Sequence, residues 1–290
     1  MAHVGRPAAH AVTPADPRPR RVLEVTRWWF LVDVFVLAAA GVQCFVLADE
    51  TDRWFAWTVA PPVSAAVLGA GYFGSIVMVV DARRASRWVD ARVVLVSTFV
   101  FSTLTLVVTL RHLDRFHLDH GGGAARIAAV TWLVVYVVVP PLVLWLVVCQ
   151  HRAPGTEPVR GDTQFPALVR WCLLGEAGLL LVLGGLLWSR GGRATFWPWP
   201  VTDLTAQAIA AWLVALGVML ALCAVERELA RARAALRSVS LAAGLWIVAL
   251  VRFHDSVRWR PGGGVAVGWA AVVVLTVAVA LASDGRSRRA

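Results

Sequence analysis

Apolar residues fall in long uninterrupted runs separated by short stretches that carry arginine, proline, glycine and tryptophan. A run of about 17 to 25 apolar residues is the length a helix needs to cross roughly 30 Å of hydrocarbon. The pattern predicts eight such spans: Trp28 to Leu47, Val59 to Val80, Val93 to Leu110, Ile127 to Cys149, Trp171 to Trp188, Leu204 to Val225, Val239 to Val251 and Gly262 to Ala282. The seventh is short, but LARARAAL ahead of it has strong helix propensity and extends the predicted helix backwards. The expected fold class is therefore an all-α membrane protein.

The spans also read as one set written twice, at an offset of about 141 residues. RWWFLVD (Arg27 to Asp33), WTVAPPVSAAVLGA (Trp57 to Ala70) and RHLD (Arg111 to Asp114) are followed by RWCLLGE (Arg170 to Glu176), WPVTDLTAQAIAA (Trp199 to Ala211) and RFHD (Arg252 to Asp255). Duplication within a bilayer protein gives matching bundles whose interface is the natural place for a pathway or site. The expected organisation is a disordered cytoplasmic tail over 1–27, a four-helix repeat over 28–149, a cytoplasmic linker over 150–166, a second four-helix repeat over 167–282 and a short cytoplasmic tail over 283–290. With an even number of spans in each, the two repeats are parallel.

Composition narrows the class further. With 59% hydrophobic residues and a mean hydropathy of +0.68, the chain has too much apolar surface for a soluble core. All 28 positive residues are arginine, and 19 of them fall in the tails and the even-numbered loops, which places both termini in the cytoplasm. That distribution accounts for the net charge of +10 by topology, so no nucleic-acid partner is expected. The lipid bilayer is the implied partner, with a small solute or other membrane proteins as the further candidates. VLA before Asp49 resembles a signal-peptidase site, but the equivalent fifth span lies mid-chain, so cleavage is not expected. Cys44, Cys149, Cys172 and Cys223 share no CxxC spacing and read as buried thiols.

Two acids stand out. Asp33 and Glu176 each follow an arginine by six residues, about 9 Å deeper along a helix and some 240° round it, so neither pairs easily with its own arginine. An acid at that depth must meet a partner on another helix, face water or hold a proton. Two readings follow: an interhelical lock, or coupling of a proton or cation to movement of a solute.

The segment RHLDRFHLDH (Arg111 to His120) offers a second candidate site on the outer face. If it is helical, Asp114, His117 and His120 share one side and can hold a divalent metal. Only arginine and aspartate recur in the second copy, so an Arg111–Asp114 pair matched by Arg252–Asp255 is the expected common element. An outer-face enzyme would draw on His112, Asp114, His117, His254 and Asp255. FAWTVAPP (Phe55 to Pro62) and FWPWPVTD (Phe196 to Asp203) read either as an aromatic belt at the lipid boundary or as broken segments shielded over a cavity.

Small residues at Ala65, Gly69, Ala206 and Ala210 predict close packing of the second and sixth spans near the centre. Thr98, Ser102, Thr105 and Thr109 form a stripe on the third span, which serves either backbone bonding or a polar lining. Pro140 and Pro141 should free carbonyls in the fourth. GAGYFG (Gly69 to Gly74) lacks the strand and acidic residue of a nucleotide site, and HExxH, GxSxG, GxxxxGK[ST] and EF-hand patterns are absent, so no cofactor is expected.

The layout, the all-arginine loops and the paired FAWTVAPP and WPWPVTD segments resemble multi-pass integral membrane proteins of high-GC actinobacteria whose function is not known. The resemblance covers about Arg27 to Ala282 and implies a bacterial plasma-membrane location. The functional expectation is a transporter or permease-like protein for a small solute, against an outer-face His/Asp enzyme or a non-catalytic membrane subunit.

Overall fold

In the computed structural model, residues 18–157, 167–226 and 228–259 are described, apart from the side chains of 229–231. Among the described residues there are eight α-helices, seven of them long and apolar enough to cross a membrane. They are α1 (Glu24–Gly41), a short α2 (Thr51–Trp54), α3 (Pro62–Arg84), α4 (Trp88–Arg111), α5 (Gly123–Arg152), α6 (Ala167–Arg190), α7 (Asp203–Glu226) and α8 (Leu229–Arg252). The expected eighth span, Gly262 to Ala282, lies outside the described residues, as do residues 1–17 and most of the 150–166 linker. Helix α8 starts at Leu229, ten residues ahead of the apolar run, as LARARAAL foretold.

The small residues decide which helices lie at the centre. In α3 and α7, 78% and 72% of the most apolar stretch is buried, against 28–44% in the other spans. A side chain at Gly74 would bring its first carbon within 2.6 Å of Ala242 and 2.9 Å of the Ser238 carbonyl, so α3 lies directly along α8. At Gly184 the same atom would meet Val214 at 2.8 Å, and at Gly217 it would meet Leu181 at 2.9 Å, so α6 and α7 approach as closely. Without a hydrophobic force between helices in lipid, such close approach is the main source of packing energy. Around this centre α1 packs on α3, and α4 packs against both α5 and α7.

Helix α1 passes at Val42–Val46 into a π-helical turn. Gly69 of α3 admits the Phe45 backbone there, with no room for a side chain. The turn leaves the Phe45 carbonyl to accept Arg252 of α8 at 2.9 Å, while the same guanidinium holds Asp49 at 2.8 Å. At the opposite end Arg92 of α4 bridges Glu226 of α7 at 2.6 Å and Glu157 at 2.9 Å.

Residues 18–23 run extended across the ends of the helices: Trp88 N–H donates to the Arg20 carbonyl at 2.9 Å, and Gln150 accepts from Leu23 and donates to the Arg21 carbonyl. Arg27 turns to the α3–α4 connection, donating to the Arg83 and Ala85 carbonyls. With Glu24 at 3.5 Å, these carbonyls occupy Arg27 in place of Asp33.

Candidate functional site

Two cavities hold several of the residues singled out in the sequence. The first lies among the middle turns of α1, α3, α4, α5 and α7 and has a volume of about 50 Å³. Asp33 reaches it from α1, about 13 Å along the helix from Glu24. The residue is 7% exposed, and it makes no hydrogen bond or ion pair with any described residue. It lines the cavity and keeps only a small accessible surface.

Around Asp33 stand aromatic rings and hydroxyls. Tyr72 of α3 and Tyr136 of α5 share a hydrogen bond of 3.1 Å between their phenolic oxygens, and Trp212 of α7 packs edge-on to Tyr72 with ring centres 5.0 Å apart. Ser75, Ser97, Thr98 and Ser102 complete the polar part of the lining. The hydroxyl stripe on α4 therefore divides. Thr98 and Ser102 face the cavity, whereas Thr109 donates to the Thr105 carbonyl at 2.8 Å and accepts from the Trp132 indole at 3.0 Å. Pro140 and Pro141 stand within a continuous α5, where the missing amide of Pro140 leaves the Tyr136 carbonyl without its helical donor.

Glu176, at the matching position in α6, is also nearly buried, at 9% exposed. It lies outside this cavity and takes part in a polar contact of its own. The two acids thus differ in their surroundings although they share a sequence context.

The second cavity is a vestibule of about 780 Å³ at the end of the molecule opposite the strap formed by residues 18–23. His112, Asp114 and His117 line it, joined by His120, Thr58, Arg115, Arg193, Thr202 and Asp203. Residues 113–120 are a 3-10 turn and bends, not a helix, so the expected i, i+3 alignment of Asp114, His117 and His120 is lost. Among the described residues no three His, Cys, Asp or Glu side chains converge as a metal site requires. His117, 4% exposed, is fixed at both ring nitrogens: Nδ1 donates to the Phe55 carbonyl at 3.0 Å and Nε2 meets the Thr58 hydroxyl at 3.1 Å. His112 Nε2 is bonded to Gln207 Oε1 at 3.0 Å, and Gln207 in turn donates to the Trp188 carbonyl.

The expected Arg111–Asp114 and Arg252–Asp255 pairs do not form. Asp114 pairs with Arg115 at 3.0 Å and Asp255 with His254 at 3.1 Å, each on its own loop, while Arg252 reaches Asp49 and Arg111 is exposed. A helix that ends at Arg111 or Arg252 continues as a 3-10 turn, and this shifts the aspartate three residues on away from the last helical face. His254 and Asp255 lie on the surface, outside the vestibule, so the outer polar cluster is not one site.

The aromatic segments also depart from a lipid-facing belt. Phe55, Trp57, Trp197 and Trp199 are all at most 4% exposed. Trp57 packs on Phe116 and Trp132, and the Trp199 indole donates to the Ser64 hydroxyl of α3 at 2.8 Å. These are irregular segments shielded by protein, one of the settings in which non-helical backbone is tolerated in a membrane protein. The connection from α6 to α7 depends on Gly191, whose φ of +55° and contact with the Asp203 carboxylate leave no place for a side chain. Asp203 accepts the Gly192 amide at 2.7 Å, and Thr202 caps α7 through the Thr205 amide at 3.2 Å.

Sequence reasoning found Asp33, Thr98 and Ser102 but not Tyr72, Tyr136, Ser75, Ser97 or Trp212. The signal available was weak: Tyr72 and Tyr136 are the chain's two tyrosines and both fall mid-span. No protein-family model, curated protein or solved structure matches the chain.

Proposed function

We propose that this multi-pass membrane protein is a transporter or permease for a small solute, with Asp33 as its coupling acid. The observation that carries the reading is a carboxylate nine-tenths buried at mid-depth, without a partner among the described residues, opening onto a cavity lined by side chains from five helices. An acid that served only to lock helices would be paired, because an isolated carboxylate in hydrocarbon costs several kcal/mol. In a transport cycle a proton or a cationic solute supplies the missing partner.

The helix pairings support a duplicated architecture. Exchanging the first three spans (α1, α3, α4) with α6, α7 and α8 turns the α1–α3 contact into α6–α7 and the α3–α8 contact into α7–α4, and all four are present. In this reading the repeats span 28–149 and 167–282 and are related by an axis along the membrane normal, with α3 and α7 beside it. The strap-bearing face is cytoplasmic, in keeping with its arginines. Glu176 then marks the matching place in the second repeat. Arg252–Asp49 and Arg92–Glu226 join the halves at opposite faces, where a rocking motion would break one clasp at a time.

Thiol accessibility tests the reading without knowledge of the solute. In a chain whose four cysteines are replaced by alanine, Thr98→Cys should react with a water-borne methanethiosulfonate from at least one side of the membrane. The rate should be at least about tenfold that of Val32→Cys, which faces outward on α1 (52% exposed), because the reactive thiolate needs water. Equal, slow reaction at both positions would contradict a solute pathway.

A further inference from the structure

The hydrogen-bonding groups around Asp33 are one-sided. Ser75 donates its single hydroxyl proton to the Gly71 carbonyl at 3.0 Å, Ser97 to Val93 at 2.9 Å and Ser102 to Phe99 at 3.3 Å. Each oxygen is left with lone pairs only. The Tyr72–Tyr136 bond uses one of the two phenolic protons. Trp29 and Trp212 line the same cavity, but their indole N–H groups are enclosed in the wall and have no partner among the described residues. Among the described residues no arginine, lysine or histidine lines the cavity. Among the described residues the lining therefore offers a carboxylate, several acceptors and aromatic rings, with the Thr98 hydroxyl and one phenolic proton as its open donors.

We propose that the Asp33 cavity binds a small ammonium-type cation, ammonium or methylammonium, as the solute. This names the substrate class of the transport reading and rests on it for movement across the membrane. The cation's N–H groups supply the donors that Asp33, Ser97 and Ser102 lack, and its charge answers the carboxylate. The rings of Trp29, Tyr72, Phe101, Tyr136 and Trp212 suit a weakly hydrated cation through their electron-rich faces. A volume of about 50 Å³ admits a ligand of a few heavy atoms. A free anion would meet Asp33 with no basic side chain among the described lining residues to offset the repulsion.

The test is thermal unfolding of the purified full-length chain in detergent, followed by tryptophan fluorescence. Methylammonium chloride is compared with sodium chloride and with N-methylglucamine chloride at equal ionic strength; the last cation is too bulky for the cavity. A ligand that binds only the folded state raises the midpoint with concentration, here by a few degrees at saturation. The wild-type shift should be specific to methylammonium, vanish in Asp33→Asn and persist in Asp114→Asn. Ser97→Ala, a small change on a packed helix, should raise the half-maximal concentration several-fold.

No saturable shift in the wild type, an equal shift in Asp33→Asn, an unchanged half-maximal concentration in Ser97→Ala, or a larger shift with sodium would each overturn the assignment. Should Asp33→Asn fail to fold, the wild-type and Ser97→Ala comparisons decide it. Saturable methylammonium binding with no methylammonium current in proteoliposomes keeps the ligand and removes transport. An Asp33-dependent current of another solute, with no methylammonium shift, removes the ligand and keeps transport.

Discussion

The membrane cavity and the vestibule hold opposite kinds of polar residue. The vestibule is wide and crowded with imidazoles and charges, yet its two most informative histidines are tied down: His117 to the Phe55 carbonyl and the Thr58 hydroxyl, His112 to Gln207. The cavity is small and mostly apolar, yet its one charged group is unpartnered among the described residues. Catalytic-looking residue types are thus a poor guide by themselves. A histidine with both nitrogens engaged fastens one loop to another, whereas a buried carboxyl group with no partner among the described residues has to hold a proton or meet a cation.

The sharpest way to break this contrast is to remove the unpaired charge. Asp33→Asn keeps the shape and should abolish solute-linked flux, by about 100-fold or more, while leaving the unfolding midpoint unchanged or raised, since a buried charge has been removed. A thermal midpoint well below wild type would instead mark Asp33 as a structural lock.

The vestibule should respond the other way. His117→Ala leaves the Phe55 carbonyl and Thr58 hydroxyl without their buried partner, with an expected loss of about 1–3 kcal/mol in stability and little change in flux per folded molecule. Denaturant titration beside a flux assay separates the two effects; a flux loss out of proportion to folding would move the functional site to the vestibule.

Smaller changes grade the comparison. Tyr136→Phe removes one hydroxyl of the Tyr72–Tyr136 pair and should cost about 1 kcal/mol or less in stability while reducing apparent solute affinity a few-fold. Arg252→Ala opens a clasp whose side chains are 39% and 56% exposed, so its effect on stability should stay within about 1 kcal/mol. Arg193→Ala, on the exposed rim of the vestibule, should change neither stability nor flux measurably.

Much of this arrangement was legible in the chain. Seven spans, the backward extension of α8, the central place of α3 and α7 and the isolation of Asp33 from Arg27 all follow from hydropathy, small-residue spacing and helix geometry. What stayed hidden depends on contacts between distant segments. The stripe Thr98, Ser102, Thr105, Thr109 reads as uniform, but Trp132 of α5 claims its far end and the cavity its near end. Arg111 and Arg252 look equivalent, but only Arg252 has been given a π-helical carbonyl and Asp49 to hold. The tryptophan-rich segments satisfy a belt composition while being folded inward, a distinction that hydropathy along the chain does not encode.

The most direct measurement is electrical. With the full chain in proteoliposomes on a solid-supported membrane, a jump in methylammonium concentration should evoke a transient inward positive current in the wild type and none in Asp33→Asn reconstituted at equal density. A current of the same size in Asp33→Asn, or none in the wild type for methylammonium or any other small solute, would contradict the assignment of the Asp33 cavity as the working site.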